Sequence, residues 1–540
     1  MKSSSPSVII VGAGAGGIAT AARLAKRGYQ VTVVEKNEVV GGRCSLMEQD
    51  GYRFDRGPSL LLMPEYFEEV FSDLDTTLTA EGVELVKCEP NYRIYFPDAV
   101  TLDMSTDMAA MQPLIESHEG RSGWERFLQF LVESGRHYQL SRDHVLYRNF
   151  PHAWSILRPG MVRNILRLHP FASVYSRAAR YVQSTRLRQA LTFASMYLGM
   201  NPFEAPGTYS LLQYTELVHG IWYPRGGFRR VLDALCNVSQ RHGATYRLST
   251  PVDHITLSPD GRRATGVQLA SGESLCADLV IVNADLVYAY NHLLPPTPYA
   301  TSLTRRETSC SSISFFWSFD TTLPGLHSHN VFLAAEYKES FDAIFQRHHI
   351  PEEPSFYVHL PSRVDPSAAP AGKDAVVVLV PVGNLGGENA ARKSQEEYWN
   401  AMVDTVRAVV LATIEQRTGV TGLRAHLVAE QCETPLSWQQ KYNLDRGAIL
   451  GLSHSFFNVL GFRPKVRHPG IRGLFFVGAS THPGTGVPVC LAGSRIVCQE
   501  VMRDGRRDGR HWGVSWWGAM GLVVMLMLVG CVWPVDIRWF

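Results

Sequence analysis

The sequence predicts an α/β protein built on a Rossmann-type parallel sheet, and three observations carry that prediction. A short apolar run, a glycine-rich turn and a helix-like run follow one another over residues 7–28. A second apolar run, 30–35, ends on an acid. Two further runs of the same texture recur far downstream, at 278–282 and 474–477. After Ser7, residues 8–11 are apolar throughout, as a strand buried on both faces must be. Residues 16–28 carry alanines and leucine at helical spacing and stop at Gly28. With 30–35 as the next strand they form a βαβ unit, which requires parallel pairing. The run 278–282 is a third strand, followed by Asn283 and Asp285, and 474–477 is a fourth, followed by a glycine-rich turn and a helix from about Val489. The nucleotide-type domain is therefore expected to be discontinuous, from residues 1–104, 225–300 and 465–505.

The intervening blocks read differently. Residues 105–224 place leucines and aromatics three and four apart, which predicts a helical subdomain. Residues 301–464 hold β-rich runs at 312–317 and 375–380 and a helix-like stretch at 396–416, which predicts a mixed-sheet substrate domain. At 540 residues the chain is too long for one core. Apolar residues make up 45% and charged residues 19%, a folded composition, and a net charge of +2 gives no reason to expect nucleic acid. Nine scattered cysteines without a CxxC argue against a zinc site or a disulfide framework. His327 with His329, and His348 with His349, lack a metal-ligand pattern, so no metal is expected.

Gly12, Gly14 and Gly17 fit GxGxxG between strand and helix. The first permits the tight turn, the second lets backbone approach a pyrophosphate, and the third lets helix pack on strand. Free N–H groups at the helix start suit phosphate. Glu35, 23 positions after Gly12, stands where a carboxylate accepts hydrogen bonds from ribose hydroxyls and disfavours a 2′-phosphate. The same glycines, with Arg23 in helical register, set this region apart from a secretory signal.

Two basic or apolar stretches predict contact with lipid. Residues 144–203 contain no Asp or Glu, yet hold Arg148, Arg158, Arg163, Arg167, Arg177, Arg180, Arg186 and Arg188 among aromatics. Such a surface suits an anionic bilayer. Residues 514–533 are uncharged, flanked by tryptophans, and preceded by four arginines. They predict a single-pass C-terminal anchor with the catalytic part cytosolic, at the endoplasmic reticulum in a eukaryote.

The run 35–43 (EKNEVVGGR) resembles the extended fingerprint of the FAD-binding, glutathione-reductase-like superfamily that includes amine oxidases and carotenoid desaturases. The turn 55–59 (DRGPS) resembles the superfamily's next turn at the flavin. The run 473–493 (GLFFVGASTHPGTGVPVCLAG) is similar to the bacterial-type phytoene dehydrogenase signature. Segments 222–228, 251–252, 326–333 and 356–366 add to a likeness, covering about residues 6–500, to the fungal phytoene desaturases.

The resemblance implies an FAD-dependent desaturase of phytoene or a close carotene, working by hydride transfer to flavin, with oxygen or a quinone as electron acceptor. It implies FAD ligands at Gly12, Gly14, Gly17, Glu35, Gly42, Arg43, Pro58, Ser59, Val252, Gly478, Gly484, Gly486 and Val487. His482, inside the flavin-facing turn, is the candidate proton acceptor. Phe315, Phe316, Trp317, Phe456 and Phe457 are candidates to line a tunnel for a long apolar polyene. Alternatives are another polyisoprenoid or polyene as substrate, a non-catalytic prenyl-binding chaperone, and an amine oxidase; the intact glycines, Glu35 and Arg43 argue against the chaperone.

Overall fold

The computed structural model describes residues 5–158, 160–387, 389 and 394–504. Its nucleotide-type sheet has five strands in the order Leu474–Phe476, Leu279–Val282, Ser7–Val11, Gln30–Val34 and Thr245–Arg247, all parallel. Both faces are covered. Val8, Ile10, Val31 and Val33 pack under the helices Ala15–Lys26, Arg229–Arg241 and Val487–Asp504. Ile9, Val11, Val280, Val282 and Phe476 fill the opposite core. That two-sided burial is why these strands read as unbroken apolar runs instead of alternating ones. The fifth strand, Thr245–Arg247, went unread because it is three residues long and partly exposed.

A seven-stranded mixed sheet forms the second layer. Its order is Leu427–Glu433, Ser311–Phe319, Asp374–Val382, Phe356–His359, His329–Phe332, Tyr92–Tyr95 and Thr101–Met104. His329–Phe332 pairs parallel with Tyr92–Tyr95, and the remaining pairings are antiparallel. The last two strands lie within the 1–104 segment expected in the nucleotide domain, yet they complete this sheet instead. Buried Tyr92, Ile94, Leu102 and Met104 explain the choice, because they join a core with the helical block.

Alternation along Ser311–Phe319 divides its side chains. Ile313, Phe315 and Trp317 pack beneath the helix Gln395–Thr418, with Trp399 and Val403. Ser312 and Ser314 face the cavity described below. Two long helices, Met108–Glu119 and Arg121–Ser141, open the helical block, and short helical turns follow to His219.

The localisation expectation needs correction. Among the described residues no helix is long and apolar enough to cross a membrane. The 514–533 segment assigned to an anchor lies outside the described residues. The basic stretch is also not uniformly free cation, since Arg177 pairs with Glu133 and Arg186 with Asp98.

Candidate functional site: a two-part cavity at the strand ends

A cavity of about 570 Å³ opens at the C-terminal ends of the parallel strands, between the two sheets and the helical block. Strand ends are where an open parallel sheet offers a crevice. One part is polar and glycine-rich. There Gly12 and Gly14, with Glu35, Gly42, Arg43, Pro58, Ser59 and Val252, form the wall from the N-terminal side. Gly478, Gly486 and Val487 close it from the C-terminal side. The other part is apolar, lined by Leu60, Leu62, Phe193, Met196, Leu212 and Phe456.

The glycines are there for lack of space. A Cβ on Gly17 would sit 2.2 Å from the Gly12 carbonyl oxygen, and one on Gly14 would sit 2.8 Å from Asn283 Oδ1. Gly17 is thus a packing residue behind the turn and does not itself face the cavity. Gly484 is likewise set back: a Cβ there would strike His454 Nε2 at 2.4 Å. Glu35 is buried; its Oε2 accepts the Ala13 N–H at 2.8 Å and its Oε1 the Asn37 N–H at 2.9 Å. Arg43 donates to the carbonyl of Ile449, joining the turn to the loop after the second sheet.

Several polar residues at the cavity were not singled out in the sequence for a site role. Asn283 ends the third strand, donates from Nδ2 to the Val477 carbonyl at 2.8 Å, and so ties two strand ends together. His454 Nε2 accepts the Thr485 N–H at 3.1 Å, which leaves the ring proton on Nδ1. Arg463 is fully buried and donates to the carbonyls of Asn458 (2.7 Å), Ser453 (3.0 Å) and Thr481 (3.2 Å), clamping the 453–458 loop to the flavin-type turn. Loss of hydration raises the Asp285 carboxyl to about 6. The only sequence signal for Asn283 and Asp285 was their place after a strand end; His454 and Arg463 had none.

His482 does not face the cavity, which corrects its expected role. Its Nε2 donates to the Arg148 carbonyl at 2.6 Å, and its ring stands edge-on to Phe150 at 5.1 Å. Burial, chiefly, drives its pKa down to about 3, so the ring is a neutral packing group. Of the tunnel candidates, Phe456 lines the cavity. Phe315 and Trp317 belong to the opposite core, Phe316 packs with Met47 and Phe54, and Phe457 is exposed. Glu133, His137 and His169 bring potential metal-ligand atoms within 4.8 Å of one another. Protein groups already engage them: Arg177 binds Glu133, and His137 Nε2 meets His169 Nδ1 at 3.0 Å.

Whether the polar part suits FAD can be judged from its unmet groups. Arg56 Nε, Asn283 Oδ1, Trp438 Nε1 and His454 Nδ1 belong to cavity-lining residues, are buried, and have no partner among the described residues. Buried polar atoms are seldom left so. A dinucleotide with phosphates, ribose and a heteroaromatic ring supplies acceptors and donors; a hydrocarbon supplies none. The glycine cradle and buried Glu35 fit the same ligand.

Comparison with known proteins agrees with this geometry. Residues 15–502 match the family of flavin-containing amine oxidoreductases, and the chain belongs to it. Its cofactor is FAD. Within that family the chain belongs with the phytoene desaturases. It is 56% identical to the phytoene desaturase of Fusarium fujikuroi, over 92% of this chain and 89% of the relative. It is 39% identical to the zeta-carotene-forming phytoene desaturase of Myxococcus xanthus, over 93% and 95% of the two chains. An oxidoreductase structure from Methanosarcina mazei shares the fold, at a TM-score of 0.63 and 18% identity, covering 91% of this chain and all of the other.

Proposed function

We propose that this protein is an FAD-dependent carotenoid desaturase that acts on phytoene or a close carotene, adding double bonds in succession. The supporting observation is the cavity's division into a polar, glycine-walled part and a contiguous apolar part. Its similarity to phytoene desaturases along nearly the whole chain supports the same reading. Bound flavin supplies the hydride acceptor that an unactivated C–C bond requires.

The chain's own residues do the rest. Gly12, Gly14 and the start of the helix Ala15–Lys26 cradle the pyrophosphate, and Glu35 holds the adenosine ribose. Val252 faces the adenine side. Gly42, Arg43, Pro58, Ser59 and the turn with Gly478, Gly486 and Val487 hold the flavin half. Gly17 and Gly484 keep the backbone close behind these walls. Leu60, Leu62, Phe193, Met196, Leu212 and Phe456 align the polyene and exclude water.

The apolar part also reaches Ile165, Leu168 and Pro170. Their neighbours Leu166, Phe171 and Phe457 are exposed, beside Arg163 and Arg167. This face supports uptake of the polyene from a bilayer surface by peripheral contact at headgroup level. The electron acceptor in this reading is oxygen or a quinone.

The deciding experiment expresses the chain in a bacterium that accumulates phytoene and reads the pigment spectrum. New long-wavelength polyene bands, absent with Gly14→Trp, support the proposal. Unchanged phytoene beside folded, flavin-loaded protein sinks it.

A further inference from the structure

Desaturation removes a hydride and a proton, and the displaced His482 leaves the proton without a destination. Candidate acceptors at the cavity can be weighed: both Glu35 oxygens take backbone amides, and Asp285 Oδ1 caps a helical turn by accepting the Tyr288 N–H at 3.1 Å. His454 uses its acceptor nitrogen on the Thr485 amide. The Tyr357 hydroxyl lies between Ser59 Oγ and His329 Nδ1, both at 2.7 Å. Behind it, His329 meets only the Cys88 thiol at 3.4 Å and a stacked His359 at 4.7 Å, a chain of neutral groups. Tyr197, which lines the cavity, differs, because it neighbours a buried carboxyl group.

That carboxyl is Glu216, on the helical turn Thr215–His219, and it is fully buried. Tyr92 Oη donates to its Oε2 at 3.1 Å, and Tyr197 is its other phenolic neighbour. No charged group among the described residues contributes to its titration; the facing titratable groups are Tyr92 and Tyr197, with Tyr337 and Tyr357 beyond them. Oε1 has no hydrogen-bond partner among the described residues. The Asn91 amide fixes the Glu216 backbone carbonyl at 2.7 Å, which holds the side chain in place. A purely structural role would be met by glutamine, without a buried acid that is costly to ionise.

We propose that Glu216, acting through the Tyr197 hydroxyl, accepts the proton released on desaturation. The inference rests on the desaturase reading. One C–H bond breaks and its electron pair leaves as hydride, which bound FAD would accept, leaving positive charge spread along the polyene. The adjacent C–H bond breaks, and its electron pair becomes the new π bond. That proton goes to Tyr197 Oη while the Tyr197 proton passes to the Glu216 carboxylate. Reduction of the electron acceptor, oxygen or a quinone, by two electrons and two protons consumes the hydride equivalent and this proton. The buried anion behind Tyr197 also favours the cationic polyene. Glu216 is thus a positioning and proton-accepting partner, and Tyr197 touches the substrate.

The test uses flavin-loaded full-length protein with phytoene dispersed in phosphatidylcholine vesicles. In Glu216→Gln, kcat is expected to fall about 100-fold with KM unchanged. Burial, chiefly, lifts the Glu216 carboxyl to about 8, so wild-type kcat climbs through that pH as the anion forms, and the climb is missing in the variant. Infrared difference spectra of wild type should show a protonated-carboxyl band at pH 6 that fades by pH 9 and is absent in Glu216→Gln. Wild-type rates or an unchanged pH limb in Glu216→Gln overturn the proposal. If that variant loses flavin, Tyr197→Phe decides: full activity overturns it, and a matching fall in kcat supports it. If wild type itself leaves phytoene unchanged, the substrate reading has failed, and absence of the infrared band at pH 6 separately overturns the role of Glu216.

Discussion

The backbone N–H of Ala13, inside the glycine-rich turn, donates to Glu35 Oε2 at 2.8 Å. The acid assigned to the ribose and the turn assigned to the phosphates therefore brace one another across neighbouring strand ends. Glu35→Ala leaves the amides of Ala13 and Asn37 without their acceptor. Such a loss costs about 1–3 kcal/mol, roughly 5- to 150-fold in flavin affinity. Ultrafiltration with flavin fluorescence measures it, and wild-type retention of flavin would remove Glu35 from the cofactor site.

Gly17→Ala places a Cβ against the Gly12 carbonyl, and backbone cannot step aside cheaply. The expected destabilisation is about 1–3 kcal/mol. Gly470→Ala is the matched control, since its Cβ would meet nothing nearer than 3.8 Å and should change stability by less than about 0.5 kcal/mol. Thermal unfolding of the two variants side by side reads the difference; equal Tm values would contradict the packing argument.

Arg463→Met removes the donors for buried carbonyls on the 453–458 loop and at Thr481. Several buried acceptors left unmet imply a loss of at least about 3 kcal/mol. Arg463→Lys, with fewer donors and no planar fork, should fall between the two. Denaturant midpoints rank the three proteins, and flavin release should follow the same order. A methionine variant as stable as wild type would show that the clamp is dispensable.

Stability should peak near pH 6.5. Burial, chiefly, pushes His329 and His454 well below the ordinary imidazole value, His137, His359 and His468 to about 4, and His482 to about 3. In the unfolded chain these rings bind protons near 6.5. The unfolded state therefore holds more protons as pH falls from 6.5 toward 4, and stability is lost over that window. Asp55 and Asp285, raised to about 6, and Glu216, raised to about 8, act in the opposite sense. Their native-state protons contribute stability below about 4 that is lost as pH rises through those values. Six imidazoles outweigh three acids below 6.5, and Glu216 continues above it. Tm against pH checks this; His359→Gln should flatten the acid limb by about one proton, and a Tm that rises toward pH 4.5 would refute the account.

The nucleotide site was legible because its requirements are local. GxGxxG must occupy consecutive positions between strand and helix, and Glu35 must follow at the next strand end, so spacing alone locates them. The tunnel was not legible, because alternation within Ser311–Phe319 sends Phe315 and Trp317 one way and Ser312 and Ser314 the other, and only the neighbouring layers decide which side faces the cavity. Tyr92–Tyr95 and Thr101–Met104 could be seen as strand-like, but their partner strand lies more than 200 residues away. The direction of the His482 ring was not legible for the same reason: it is set by Arg148 and Phe150, far off in sequence.

The parallel sheet draws its strands from residues 7–11, 30–34, 245–247, 279–282 and 474–476, and its first helix is buttressed by Val487–Asp504, where the Leu491 carbonyl receives Arg23 at 3.0 Å. During synthesis, the glycine-rich turn leaves the ribosome long before the last strand exists. At about 5–20 residues per second the interval is on the order of half a minute to a minute and a half. The nascent chain must keep its first βαβ unit from aggregating throughout that wait, and a message broken anywhere before codon 474 yields a sheet without its edge strand and a cavity without the wall of Gly478, Gly486 and Val487.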